Sequence, residues 1–175
     1  MKRREPTRGN PEQPPVLVAV DGSEDRWAGE HAARLAKSLG AGLFVLRIVD
    51  THKAFRARVH YARILSELDL ETRSVAERIG ELAGELGVEY EERTIRSNHP
   101  RRDLVRVAEE LRPTLVVVGA RGTSVVDRVW IGNACGSVLK RAGCPVLVVG
   151  PEGAPVAQAR ENASGNASGR GRAST

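Results

Sequence analysis

The stretch Leu115-Val-Val-Val-Gly-Ala-Arg-Gly122 sets the fold class. Its four apolar residues, three of them β-branched, have the unbroken hydrophobicity of a strand buried on both faces of a parallel sheet. The strand runs straight into two glycines, and nine residues after the second come Gly132 and Asn133, at the head of a helical stretch. Glycines let the backbone approach an anion closely, and the free N–H groups of a helix start favour negative charge. The segment therefore reads as a phosphate cradle, with a plain turn followed by a helix as the other reading. It is not a Walker loop, because no Gly-Lys-Ser or Gly-Lys-Thr follows. Nor is it the dinucleotide fingerprint, because the first strand of the chain ends in Val20-Asp21-Gly22-Ser23 with a single glycine.

Outward from this stretch, four more short runs alternate with amphipathic segments. They are Val16 to Val20, Leu43 to Val49, the more polar Val88 to Ile95, and Pro145 to Val149. The polar alternation of Val88 to Ile95 predicts a strand near a sheet edge. Ala28, Ala32, Leu35, Ala36 and Leu39 share one helical face, with Ser23 expected to cap the start and Gly40 and Gly42 to end the helix. A second helical region spans about 59 to 86, long enough to suggest a break near Asp69. A third enters at Pro100 and stops before Pro113, and a fourth covers about 133 to 141. The order β-α-β-α-β-α-β-α-β predicts an α/β fold, an open doubly wound parallel sheet of five strands with helices on both faces. Ligands of such sheets bind beyond the carboxyl ends of the strands, where strand order reverses.

The 175 residues fit one domain, expected over 16–150, between an N-terminal tail (1–15) and a C-terminal tail (151–175) rich in Gly, Ser and Ala. The longest apolar runs fall far short of a membrane span. Met-Lys-Arg-Arg is followed by Pro-Thr-Arg-Gly-Asn-Pro and not by the apolar core of a secretory signal, so a cytoplasmic location is expected. Cys135 and Cys144 read as small apolar residues, and the four histidines form no zinc set with them. The net charge is +5, of which +2 lies in residues 1–15 and +1 in 151–175. Two Trp, two Tyr and two Phe leave no aromatic platform for single strands, so nucleic acid is not an expected partner.

Together, Val18-Ala-Val-Asp-Gly-Ser23, Val116-Val-Val-Gly-Ala-Arg-Gly122, the nine-residue gap to Gly132, and Val138 to Val149 with its Cys144-Pro145 resemble the universal stress protein family. The resemblance covers about residues 14 to 150. It implies strand order 3-2-1-4-5, a homodimer through the last strand, Pro145 to Val149, and membership of the branch that binds ATP, with Mg2+, through these glycines; AMP or another adenine nucleotide is the alternative ligand. Carried over by position, Ala19, Val20 and Asp21 with Ile48 would flank adenine and ribose, and Val118 would line the base pocket. Gly119, Arg121, Gly122, Thr123, Ser124 and Val125 with Gly132, Asn133, Ala134 and Cys135 would hold the phosphates. Asp21 could also assist Mg2+, or simply order the turn. Asn133 stands where the family usually has Ser or Thr; its amide can still donate to phosphate and cap the helix.

No nucleophile and base are paired by the sequence, so efficient catalysis is not expected, at most a slow ATPase or autophosphorylation. The function expected is a nucleotide-responsive stress regulator. One alternative is a dimer of the branch that binds no nucleotide and serves as an interaction module. A second is an adenylating ligase, which would need a Ser-Gly-Gly-x-Asp-Ser loop where this chain has Asp21-Gly-Ser-Glu-Asp25.

Overall fold

Strand β1 (Val16–Val20) is apolar at every position, and the fold places it at the centre of the sheet with four residues fully buried. The computed structural model describes residues 13–56, 60–119 and 143–150. After β1 come a 3-10 turn (Ser23–Asp25), α1 (Arg26–Leu39), β2 (Leu43–Asp50), α2 (Thr51–Arg56) and α3 (Tyr61–Leu86). They are followed by β3 (Tyr90–Ser97), α4 (Pro100–Leu111), β4 (Leu115–Gly119) and β5 (Val146–Val149). The five strands form one sheet of order β3-β2-β1-β4-β5, with every neighbouring pair parallel. Strand order reverses between β1 and β4, which is where this topology is expected to hold its crevice.

Strand alternation sorts the core into two layers. Val16, Val18 and Val20 of β1 meet α1 and α3 through Ala28, Ala32, Val75 and Ile79. Leu17 of β1, with Phe44, Leu46 and Ile48 of β2, packs instead on α4 through Leu104, Val105 and Ala108. The edge position expected of the polar strand is found in β3, where Glu91, Glu92, Thr94 and Arg96 are exposed. Charged side chains on an edge discourage pairing with a foreign strand.

Four details differ from the sequence expectation. Helix α1 begins at Arg26, without a side-chain cap from Ser23, because Ser23–Asp25 winds as a separate 3-10 turn. A short helix, α2, precedes α3; Asp50 Oδ1 accepts the backbone N–H groups of His52 (2.9 Å) and Lys53 (3.3 Å) and so closes its first turn. Helix α3 runs unbroken through Asp69. Gln13 to Pro15, expected within the N-terminal tail, are held to the domain: Gln13 donates to Leu39 O, and Thr114 donates from its hydroxyl to Pro14 O and from its N–H to Pro15 O. The expected helix at 133–141 lies outside the described residues, as do residues 151–175.

The continuity of α3 has a physical cause. Arg47 of β2, its side chain 7% exposed, donates to Asp69 Oδ1 at 2.6 Å and to Glu92 Oε1 at 3.0 Å. Asp69 also receives Arg73 one turn later, at 3.1 Å. Tyr90 donates its hydroxyl to Glu92 Oε2, and burial, reinforced by that carboxylate, pushes its phenol pKa up. The position at which a break was expected is thus the one the sheet grips most firmly. At 1.5 Å per residue, the 26 residues of α3 are about 39 Å long, against about 26 Å for an eight-residue strand. All its buried residues lie between Thr72 and Ala83, so its first turns project past the sheet.

Candidate functional site

The crevice is built by three strand ends. Val18 pairs with Val117 and Ala19 with Leu46, which sets Val118 beside Ala19 and brings Ile48 one step further along β2. Ala19, Ile48 and Val118 all belong to the layer beneath α4, and Ile48 is 2% exposed. Three of the residues expected around a base therefore form one apolar floor across β2, β1 and β4. Val20 points the other way, into the α1 and α3 layer, and offers the crevice only its backbone.

Where β1 ends, the chain organises itself around a carboxylate to which the sequence reading gave no role. Asp25, 4% exposed, accepts the N–H of Asp21 at 2.7 Å and of Gly22 at 3.2 Å through Oδ2. Glu71, reaching across from α3, accepts the N–H of Ser23 at 2.7 Å. Three consecutive amide donors, the kind of nest that holds phosphate elsewhere, are thus taken by the protein's own carboxylates. An adenylating ligase would need that turn for its phosphate loop, so this geometry counts against that alternative.

Gly119 closes the other side of the crevice. A Cβ placed there would overlap Asp25 Oδ1, with the carboxyl carbon at 3.5 Å and the Asp25 Cα at 3.7 Å. The glycine is required by packing against Asp25, whatever else it does. Arg121, Gly122, Thr123, Ser124, Val125, Gly132, Asn133, Ala134 and Cys135 lie outside the described residues. A signal for Asp25 was present in the sequence, as an Asp three residues after Gly22, but its contact with Gly119 joins positions 94 apart and leaves no local pattern.

On the far side of Ile48, a cavity of about 440 Å3 opens between the carboxyl ends of β2 and β3, with Asp50, His52, Asn98 and His99 in its wall. Ser97, buried, donates its hydroxyl to Asp103 and accepts the N–H of His99 at 2.8 Å. Its hydroxyl is committed to shaping this loop and not poised for attack. No group of three or more His, Cys, Asp or Glu side chains that could hold a metal occurs among the described residues. No helix among them is long and apolar enough to cross a membrane.

The fold is that of an open α/β protein whose strand order reverses between β1 and β4. The model of the universal stress protein family matches residues 14–150, and the chain belongs to that family. A universal stress protein of Methanocaldococcus jannaschii is 28% identical over 137 residues, covering 77% of this chain and 80% of the relative. Among solved structures, a universal stress protein in complex with cAMP superposes with a TM-score of 0.55 at 22% identity, over 80% of this chain and 99% of that one. The universal stress protein from Archaeoglobus fulgidus in complex with dAMP gives 0.53 at 20% identity, over 77% and 95%. At these identities the two structures establish the shared fold.

The contact between Gly119 and Asp25 yields a direct expectation. Gly119→Ala forces a methyl group into a buried, hydrogen-bonded carboxylate and should lower unfolding free energy by about 1–3 kcal/mol. Urea unfolding followed by circular dichroism measures it, and a stability equal to the parent's would show that the contact is not tight.

Proposed function

We propose that this protein binds an adenine nucleotide in the crevice between β1 and β4 and acts as a nucleotide-responsive regulator. The observation that carries this reading is the apolar floor of Ala19, Ile48 and Val118, which spans three adjacent strand ends at the switch point. The flat face of a base suits such a floor. Because the amide donors of Asp21, Gly22 and Ser23 are already engaged, the phosphates belong on the β4 side, with Gly119, Arg121, Gly122 to Val125 and Gly132 to Cys135. Complexes of two structural neighbours with cAMP and dAMP support an adenine ligand.

Within this reading ATP with Mg2+ is the fullest ligand, and AMP the smaller alternative. Asp21, at the end of β1, is the carboxylate that would meet ribose hydroxyls or a water on the metal, and the oxygen chemistry of Asp suits Mg2+. Bound Mg2+ would supply charge neutralisation for the phosphates. Binding and release, with hydrolysis slow or absent, make up the proposed activity. The cytoplasm is the compartment this reading implies.

The assembly follows from β5. Among the described residues it has one strand neighbour, β4, and Val146, Leu147 and Val148 are only half-buried. An apolar edge with unpaired backbone groups is stabilised by a second copy of the same strand. Light scattering at micromolar concentration should give twice the chain mass; a soluble monomer would contradict this pairing.

Titration calorimetry with Mg-ATP and with AMP tests the nucleotide reading. If the Asn133 amide donates to a phosphate oxygen, Asn133→Asp sets a carboxylate against it and should lose about 1–3 kcal/mol, roughly tenfold to a hundredfold in affinity. Asn133→Ser should keep or modestly raise affinity. Equal affinities for all three proteins would remove position 133 from the site. No heat with either nucleotide would favour the interaction module that binds none.

A further inference from the structure

We propose that Glu71 sets the ligand class of the nucleotide crevice: its charge at the end of β1 favours adenine 5′-nucleotides with free ribose hydroxyls and rejects those that carry a 3′-phosphate. The inference rests on the nucleotide reading given above, and it adds to that reading a specificity-determining residue from α3.

Glu71 comes from outside the strands that frame the crevice. Helix α3 packs on the face of the sheet opposite the layer of Ala19, Ile48 and Val118, and its first turns project past the strands. From there Glu71 Oε1 accepts the Ser23 N–H at 2.7 Å, and it lies 3.7 Å from the place a Cβ on Gly22 would occupy. A negative charge is thus held against the backbone of the turn, two residues beyond Asp21. Among the described residues no cation pairs with it, and Arg73, the nearest basic residue along α3, is directed to Asp69 at 3.1 Å.

The amides of the turn are already engaged. Asp25 takes the N–H groups of Asp21 and Gly22, and Glu71 takes that of Ser23. What the turn offers a ligand is therefore carboxylate oxygen, which accepts hydrogen bonds and donates none. A hydroxyl group matches such a surface because it brings a proton, whereas a phosphate brings only oxygens and a like charge. With the base on the apolar floor and the 5′-phosphates on the β4 side, the ribose spans the end of β1 and turns its 2′ and 3′ hydroxyls to Asp21. A 3′-phosphate would stand in that same place, facing Asp21 and the charge of Glu71. Repulsion of this kind acts across a partly solvated gap, so it shifts affinity without blocking the site outright.

Calorimetric titration of the full chain with AMP and with adenosine 3′,5′-bisphosphate tests the proposal, because the two ligands differ only in the 3′-phosphate. Glu71→Gln is nearly equal in shape and its side-chain carbonyl still accepts the Ser23 N–H, so the variant removes the charge and keeps the turn. The parent should bind AMP about tenfold or more tightly than the bisphosphate. In Glu71→Gln the gap should narrow about threefold or more, through tighter binding of the bisphosphate with AMP unchanged. Equal affinities of the parent for the two ligands, or a gap that Glu71→Gln leaves unchanged while AMP still binds, would overturn this proposal alone. So would loss of AMP binding in Glu71→Gln, which would make the carboxylate a support of the ligand. Absence of AMP binding by the parent would overturn the nucleotide reading and this proposal with it.

Discussion

The buried carboxylate of Asp25 holds the functional end of this molecule together. It gathers the N–H groups that close β1, and it lies against Gly119 at the end of β4. The two strand ends that frame the crevice are therefore set by a single side chain. Glu71 extends the arrangement to α3 by taking the next amide, so the turn after β1 is shaped by two layers of the fold at once. With those donors engaged, the proposed nucleotide would have to find its phosphate partners on the β4 side, and its base would lie toward Ala19, Ile48 and Val118.

A second polar tie acts further from the crevice. Arg47, in the middle of an otherwise apolar strand, reaches Asp69 on α3 and Glu92 on β3. A buried ion pair of this kind adds little net stability over a hydrophobic contact, but it fixes which part of a helix meets which part of a sheet. Here it sets the register of α3, whose first turns project beyond the strands while Thr72 to Ala83 cover the core.

The parallel sheet was legible because strands buried on both faces must be apolar throughout, as Val16–Val20 and Leu115–Val118 are, and because the polar alternation before Ile95 could belong only to an edge. The grouping of Ala19, Ile48 and Val118 in one layer was expected only through family resemblance, since no local pattern marks Ile48 as a neighbour of Ala19. Hidden from the sequence were the contacts that act at a distance. Glu71 lies 48 residues from Ser23, Asp69 lies 22 from Arg47, and each reads alone as one more solvated charge on a helix or strand. The expected break at Asp69 went wrong for that reason: length suggested it, while an arginine on another element removed it. The cavity beside β3 escaped notice because His52 and His99, 47 positions apart, meet only after α2 and α4 have folded onto adjacent strand ends.

In the proposed function, an adenine base lies at the switch point between β1 and β4, against Ala19, Ile48 and Val118. Methyl-resolved NMR during an AMP titration tests it most directly, because an aromatic ring stacked on those side chains shifts the methyl resonances beneath it. Saturable shifts are expected at Ala19, Ile48 and Val118, while Val16 and Val18 in the opposite layer stay in place. Saturable shifts elsewhere with these three unmoved, or no shifts at any concentration, would contradict it.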